Sequence, residues 1–136
     1  MGAWGSGVFD NDAAADWALG LADGGYEYIR STLAVAVEAG DFLDADEGAE
    51  ALAAAEAVAR LGGAGGVGSA YSEPVDGWVS AQAGNAPADL VALAARAVRA
   101  VLAESSELAE LWDEAGVAEA AQWRRALEEI LGRLGT

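Results

Sequence analysis

Apolar residues recur every three or four positions along most of this chain, and no stretch alternates apolar and polar residues as a strand would. Such spacing places the apolar side chains on one side of a helix, so the pattern predicts helices. The predicted helices cover, approximately, residues 11–22, 26–39, 46–61, 107–115 and 118–134, with a short helix opening at 73 and another running from a start signal at 85–87 to 104. The sequence therefore predicts an all-α fold, in which about five to seven helices form a single compact domain of residues 1–136.

Short polar residues and glycines mark where these helices begin and end. Asp10-Asn11-Asp12 and Ser105-Ser106 supply side-chain oxygens that accept hydrogen bonds from the unpaired N–H groups of a first turn. Gly24-Gly25 separates the first two predicted helices. On the second helix, Tyr28 and Val35 lie outside the main apolar stripe, which predicts a helix that is buried on most sides.

Two glycine-rich segments are predicted to lack helix: an N-terminal arm of residues 1–9 and a loop of residues 62–73. Between Gly63 and Gly68 the loop fits the nucleotide-binding spacing G-x-G-x-x-G. A phosphate-binding loop continues with Lys and then Ser or Thr, where this chain has Ser69-Ala70, and the dinucleotide motif follows a strand. We therefore interpret the loop as a connector and expect no cofactor.

Five tryptophans are many for a chain of this length. Trp17, Trp112 and Trp123 lie on apolar helical stripes, so they are predicted to fill the core. Trp4 lies among the glycines of the N-terminal arm. There it either folds back as a plug or forms part of a binding surface.

The 136 residues carry a formal net charge of −16. Nucleic acid and anionic membrane surfaces repel such a chain, so neither is an expected partner. A basic protein is attracted by the same charge, while the alternative interpretation is that acidity only keeps an alanine-rich protein soluble. On the last predicted helix, Arg125, Glu129 and Arg133 follow at spacings of four, which predicts weak ion pairs on its outer face.

The sequence contains no Cys, His or Lys. Disulfides, thiolate metal sites, His-based triads and Schiff bases are thereby excluded. The absence of Cys is compatible with a cytoplasmic location, and neither a signal peptide nor a membrane-spanning segment is predicted. The chain is therefore expected not to be an enzyme, and no catalytic residue is predicted.

Carboxylates cluster at residues 10–16 and again at residues 41–47. Asp10-Asn11-Asp12 begins like a calcium-binding EF-hand loop, but Ala15 stands where the loop requires Gly and Leu21 stands where it requires Glu. No metal site is therefore assigned. Capping of the helices that follow explains both clusters, and a looser divalent-cation site within residues 10–16 is the open alternative.

The chain opens with M-G-A-W-G-S-G-V-F-D-N-D-A-A-A-D-W. This segment resembles the start of the bacterial domain of unknown function family 4259, whose pattern is approximately M-G-A-W-G-x-G-x-F-D-N-D-x-A-x-D-W. The resemblance implies a small helical bacterial protein without an assigned activity, and it transfers no catalytic residue. The shared residues that we take as candidates for binding a ligand or partner are Trp4, Asp10, Asn11, Asp12 and Asp16.

The sequence leaves three hypotheses for the function, each from a different class. The first is a non-enzymatic protein-interaction module, of which an immunity or antitoxin-like protein that binds a basic partner is one version. The alternative is a divalent-cation or small-ligand binding protein that uses Asp10, Asp12 and Asp16 beside Trp4. The third is a hydrolase, which needs two carboxylates held in one pocket.

Overall fold

A computed structural model of the chain describes residues 8–63, 72–82 and 86–135. These residues form six helices and no strand, which confirms the predicted all-α fold. The helices are α1 (Asp12–Val37), α2 (Ala45–Leu61), α3 (Glu73–Ala81), α4 (Ala88–Leu102), α5 (Glu107–Ala115) and α6 (Val117–Arg133). Most of the predicted arm 1–9 and of the predicted loop 62–73 lies outside the described residues.

The helix α1 bends sharply at Gly25, where the backbone has φ 59° and ψ −147°. Only glycine adopts this conformation readily, because it has no Cβ. Trp17 Nε1 donates a hydrogen bond to Thr32 Oγ1 at 2.7 Å, although fifteen residues of straight helix span about 22 Å. The two arms of α1, residues 12–24 and 26–37, therefore fold against each other, and the helix break predicted at Gly24-Gly25 is confirmed.

Aromatic stacking fixes the angle between these two arms. The Tyr28 ring stacks on the Trp17 ring with a centroid separation of 4.9 Å and an interplanar angle of 12°. Its hydroxyl donates a hydrogen bond to the Trp17 carbonyl oxygen at 2.8 Å. A Cβ added at Gly24 would overlap the Cβ of Tyr28, so the close approach of the arms requires glycine there.

The helix α2 lies at the centre, because it packs against each of the other five described helices. Every residue from Ala51 to Leu61 is buried, and most of them are alanines. Such small side chains let neighbouring helices approach closely. Two charged residues of the same stretch, Glu56 and Arg60, are buried with them.

The connection between α1 and α2 is anchored to the connection between α4 and α5. Leu43 is 1% exposed; its N–H donates to the Ser105 carbonyl at 2.9 Å, and its carbonyl accepts from the Glu107 N–H at 2.9 Å. Ser106 Oγ accepts a hydrogen bond from the backbone of the first turn of α5, which confirms its predicted role as a cap. These bonds hold the start of α2 in a defined place.

The three tryptophans predicted to fill the core do so. Trp17, Trp112 and Trp123 are 4%, 8% and 2% exposed. The Trp112 and Trp123 rings stack with centroids 6.2 Å apart, which joins α5 to α6. None of the described helices is long and apolar enough to cross a membrane.

Candidate partner-binding surface

The candidate residues at the N-terminus are placed around the first turn of α1. Asn11 is the N-cap, and its side chain accepts a hydrogen bond from the Ala14 N–H at 2.9 Å. Asp12 begins the helix and is exposed, as is Asp16 one turn later, whereas Asp10 is half-buried. Trp4 lies outside the described residues, so its predicted place beside these carboxylates stays a prediction.

The described residues contain no group of three or more acidic side chains placed to hold a metal ion. Asn11 is used as a cap, and a carboxylate such as Asp12 in the first turn is favoured by the positive end of the helix dipole. At the second acidic cluster, Asp44 caps α2 by accepting from the N–H groups of Asp46 at 2.9 Å and Glu47 at 3.2 Å. The capping role predicted for this cluster is therefore confirmed at Asp44.

A buried ion-pair network surrounds Glu56 on α2, which is 3% exposed. Its carboxylate accepts hydrogen bonds from Arg60 Nε and Arg133 Nη1, each at 2.7 Å. Arg60 also donates from Nη1 to Asp76 on α3 at 2.6 Å, and its guanidinium lies 5.6 Å from the centre of the Phe9 ring. The network thus joins α2, α3, α6 and the segment that precedes α1.

The charges of this network compensate one another. Burial lowers the pKa of Arg60, but its hydrogen bonds with Glu56 and Asp76 outweigh that effect and raise the pKa above its ordinary value. Hydrogen bonding with Glu56 likewise raises the pKa of Arg133. Because a buried charge is tolerated when it is paired in this way, we assign the network a structural role.

The position of Arg133 corrects a prediction. The spacing of Arg125, Glu129 and Arg133 predicted that all three lie on the outer face of α6. Arg133 does contact Glu129 at 3.5 Å, but its side chain is only 17% exposed and turns inward to Glu56. The physical reason is the buried carboxylate on α2, whose desolvation is offset by a second guanidinium.

Carboxylates dominate the surface. Glu56 is the only buried member among the 23 acidic residues of the chain, all of which are described. Two of the seven arginines, Arg60 and Arg133, are used by Glu56. The segment 38–50 is the densest acidic stretch, with six carboxylates and no arginine. We call it the acidic segment; it contains Glu38, Asp41, Asp44, Asp46, Glu47 and Glu50.

An open cleft of about 440 Å³ lies between the second arm of α1 and the start of α2. We call it the acidic cleft. Its lining combines carboxylates, hydroxyls and an aliphatic side chain. The lining residues are Gly24, Glu27, Tyr28, Ser31, Thr32 and Val35 of α1, with Glu47 and Glu50 of α2.

Hydrogen bonds among Trp17, Tyr28 and Thr32 hold the α1 wall of the cleft in place. Thr32 Oγ1 accepts the Trp17 indole hydrogen bond and donates its own to the Tyr28 carbonyl oxygen at 2.8 Å. The Tyr28 hydroxyl is committed to the Trp17 carbonyl. Burial, and then the charge of Glu50, raise the pKa of Tyr28, so the phenol stays protonated. These internal hydrogen bonds preform the wall and orient the Tyr28 ring.

The α2 wall carries a carboxylate, Glu50, that has no cationic partner among the residues that the structure describes. Glu50 is half-buried, and neither it nor Glu47 forms an ion pair with any described arginine. Burial raises the pKa of Glu50, and the negative charges of Asp46, Glu47 and Asp44 raise it further. An ionised Glu50 is therefore disfavoured by the protein around it, and a cation placed in the cleft would relieve that repulsion.

Sequence reasoning did not identify the cleft. The breadth of apolar residues on the second arm of α1 predicted a helix buried on most sides, but Val35 is 44% exposed and Glu27 and Ser31 are exposed as well. Apolar residues occur on several sides of this arm because they serve two surfaces. Tyr28, for example, packs on Trp17 and also lines an open cleft. Glu50 gave no signal of its own, because exposed and half-buried glutamates look alike in a helix pattern.

Comparison with protein-family models identifies the family of this chain. The model of the family described as Domain of unknown function (DUF4259) matches residues 2–126. The chain belongs to this family. DUF4259 membership confirms the predicted family, and the match covers both the acidic cleft and Glu56, whereas Arg133 lies beyond it. No curated protein and no solved structure matches the sequence.

Proposed function

We propose that this DUF4259 protein is a non-enzymatic protein-interaction module that binds a basic protein through its acidic segment. The observation that carries the proposal is the acidic segment itself. Its six carboxylates lie on the connection between α1 and α2 and on the start of α2, and no arginine occurs among them. The hydrogen bonds of Leu43 to Ser105 and Glu107 hold this segment in place. A fixed array of like charges gives a partner both an attractive field and a defined orientation.

An immunity or antitoxin-like role is one concrete version of this proposal. A basic toxin or nuclease carries a positive active surface, and a chain of net charge −16 meets it under strong electrostatic steering. Charge complementarity of this kind raises the rate of association and suppresses binding to acidic proteins. The small size and the lack of Cys, His and Lys suit a protein that blocks a partner without transforming it.

The arrangement of carboxylates in the cleft favours binding over hydrolysis. A carboxylate-based hydrolase places two carboxyl groups on opposite sides of the bond that breaks. Glu47 and Glu50 are three residues apart on α2, so both belong to the same wall. Glu27, on the opposite wall, is 86% exposed and lies 3.8 Å from Arg30. No pair in the cleft therefore has the protected, opposed geometry of an acid and a nucleophile.

The proposal is tested with two variants of equal net charge. One neutralises the acidic segment by Asp41→Asn, Asp46→Asn and Glu47→Gln, which leaves the capping residue Asp44 intact. The control neutralises three exposed carboxylates of α5 and α6, by Glu110→Gln, Glu114→Gln and Glu128→Gln. Each protein serves as bait for a cell extract at about 0.15 M salt, and the dissociation constant of any captured basic protein is then measured by calorimetry.

We expect the wild type and the control to retain the same basic protein and the acidic-segment variant to lose it. Equal loss from both variants would mean that only total charge matters, which contradicts a defined interface. Retention by all three proteins would show that the acidic segment plays no part. Either result removes the proposed function.

A further inference from the structure

We infer that the acidic cleft is the place where one arginine or lysine side chain of an amphipathic basic segment of the partner docks. This inference rests on the proposed function and names the chemistry that its site recognises. The cleft of about 440 Å³ has the size of a ligand pocket. Its α1 wall presents Tyr28 and Val35 beside the exposed Glu27, and its α2 wall presents Glu47 and Glu50.

The α1 wall suits the apolar part of such a segment. Val35 is 44% exposed at the cleft, although it is a large aliphatic residue. Beside it, the Tyr28 ring is fixed by its stack on Trp17 and by its hydroxyl hydrogen bond. A preformed aromatic wall attracts a cation through its ring electrons, and it requires no ordering when the partner binds.

The α2 wall supplies the charge that this cation needs. Glu50 is half-buried, receives repulsion from Glu47, Asp46 and Asp44, and has no arginine partner in the described chain. A guanidinium or ammonium group next to Glu50 replaces this repulsion with attraction. The free energy released in this way is available to binding, because nothing within the described chain already provides it.

The same contacts argue against a bare metal ion as the occupant. A hard cation collects six or more oxygen ligands, but the described residues hold no group of three or more acidic side chains placed to bind a metal ion. A metal ion also leaves the exposed Val35 uncovered. An arginine or lysine covers apolar surface with its aliphatic stem while its charged end reaches carboxylates, and apolar neighbours on its own helix cover the rest.

A pair of synthetic peptides tests this directly. The first is an amphipathic helical peptide with leucine and alanine on one face and arginine at its border; the second replaces each arginine with citrulline, which keeps the shape and removes the charge. Calorimetry measures the dissociation constant of each for the wild type, for Glu47→Gln/Glu50→Gln, and for the control Glu114→Gln/Glu128→Gln. Both double variants lose the same net charge, so a difference in affinity between them reports the position of the charge and not its amount.

We expect the arginine peptide to bind the wild type and the control alike, and to bind Glu47→Gln/Glu50→Gln at least about tenfold more weakly. The citrulline peptide should bind the wild type at least about tenfold more weakly than the arginine peptide, and the cleft variant should distinguish the two peptides far less. That loss of discrimination locates the charged contact at the cleft.

Four results would overturn the inference. The first is that the arginine peptide shows no measurable binding to the wild type. The second is that the cleft variant and the control weaken peptide binding equally, and the third is that spermidine binds as tightly as the peptide. The fourth is that millimolar Mg²⁺ displaces the peptide. The second and third would identify diffuse charge attraction or a small polyamine as the binding mode. The proposed function fails separately, when the acidic-segment variant keeps the captured partner.

Discussion

Arg133, in the last turn of α6, donates hydrogen bonds from both Nη1 and Nη2 to the carboxylate of Glu56, in the middle of α2, across 77 positions of sequence. Arg60 donates to the same carboxylate from one helical turn away. Glu56 therefore lies between two guanidiniums in a place where water has little access. This one contact ties the last described helix to the central helix of the fold.

We expect Glu56→Gln to destabilise the protein by about 3–5 kcal/mol, because it leaves the buried Arg60 and the largely buried Arg133 without their shared carboxylate. The measurement is the free energy of unfolding in urea, followed by tryptophan fluorescence. Glu129→Gln is the matched control, since Glu129 contacts the same Arg133 but is 70% exposed. A change below about 1 kcal/mol is expected there. Similar losses in both variants would show that the buried position of Glu56 has no special effect.

The buried network marks a limit of what the sequence predicts. Glu56 and Arg60 are four residues apart, a spacing that is typical of an exposed ion pair on a helix surface. Burial of this pair follows from five helices that surround α2, and no local pattern encodes that packing. The inward turn of Arg133 has the same origin, because its partner is distant in sequence.

Helix positions, by contrast, follow from local signals. Asn11, Asp44 and Ser106 each accept hydrogen bonds from the first turn of the helix that follows, and each is a residue type that favours this position. Apolar spacing identified the same helices, and the tryptophans on those stripes are buried. The acidic cleft could not be read in this way, since it arises only when the second arm of α1 lies beside the start of α2.

The bend of α1 gives a second prediction. We expect Gly25→Ala to destabilise the protein by about 1–3 kcal/mol, because φ 59° and ψ −147° form a conformation that alanine adopts only with strain. Nothing within 4 Å of a Cβ at this position would add a clash, so the cost measures backbone strain alone. Chemical denaturation gives the value.

Gly132→Ala on α6 is the matched control for this change. Gly132 is exposed and within the helix, and a Cβ there meets nothing within 4 Å. We expect it to stabilise the protein by up to about 1 kcal/mol, since alanine favours a helix over glycine and Gly132 lies in the last turn of α6. Destabilisation by Gly25→Ala together with stabilisation by Gly132→Ala would support the sharp bend. Stabilisation by Gly25→Ala would mean that α1 continues as a regular helix through residue 25.

Thr32 provides a third prediction, about the rigidity of the cleft wall. Thr32→Val keeps the shape but removes the acceptor of the Trp17 indole N–H, which is then buried without a partner. We expect a loss of about 1–3 kcal/mol in the free energy of unfolding, measured by denaturation in urea. Thr32→Ser retains the hydroxyl and should lose much less. If Thr32→Ser loses as much stability as Thr32→Val or more, the methyl group of Thr32 holds the wall at least as strongly as its hydroxyl does.

The last prediction concerns the dependence of stability on pH at Glu50. Burial and then the charges of Asp46, Glu47 and Asp44 raise the pKa of this carboxyl group in the folded protein. The folded state therefore binds the Glu50 proton more tightly than the unfolded state does. The contribution of this group to stability is full below its unfolded pKa and is lost as the pH rises through its folded pKa. We accordingly expect Glu50→Gln, which cannot ionise, to raise the melting temperature at about pH 7 and to change it little at about pH 4, where Glu50 is largely protonated in the folded protein.

Glu128→Gln separates this local effect from the relief of general repulsion, because it removes the same charge from an exposed position of α6. Its effect at about pH 7 should be clearly smaller than that of Glu50→Gln. Equal increases in melting temperature would mean that only the net charge of −16 is being reduced, and that the surroundings of Glu50 exert no special repulsion. A larger increase for Glu50→Gln would show that the surroundings of Glu50 oppose its negative charge, which is the repulsion that a bound cation removes. The same variant would then be more stable alone and weaker in binding.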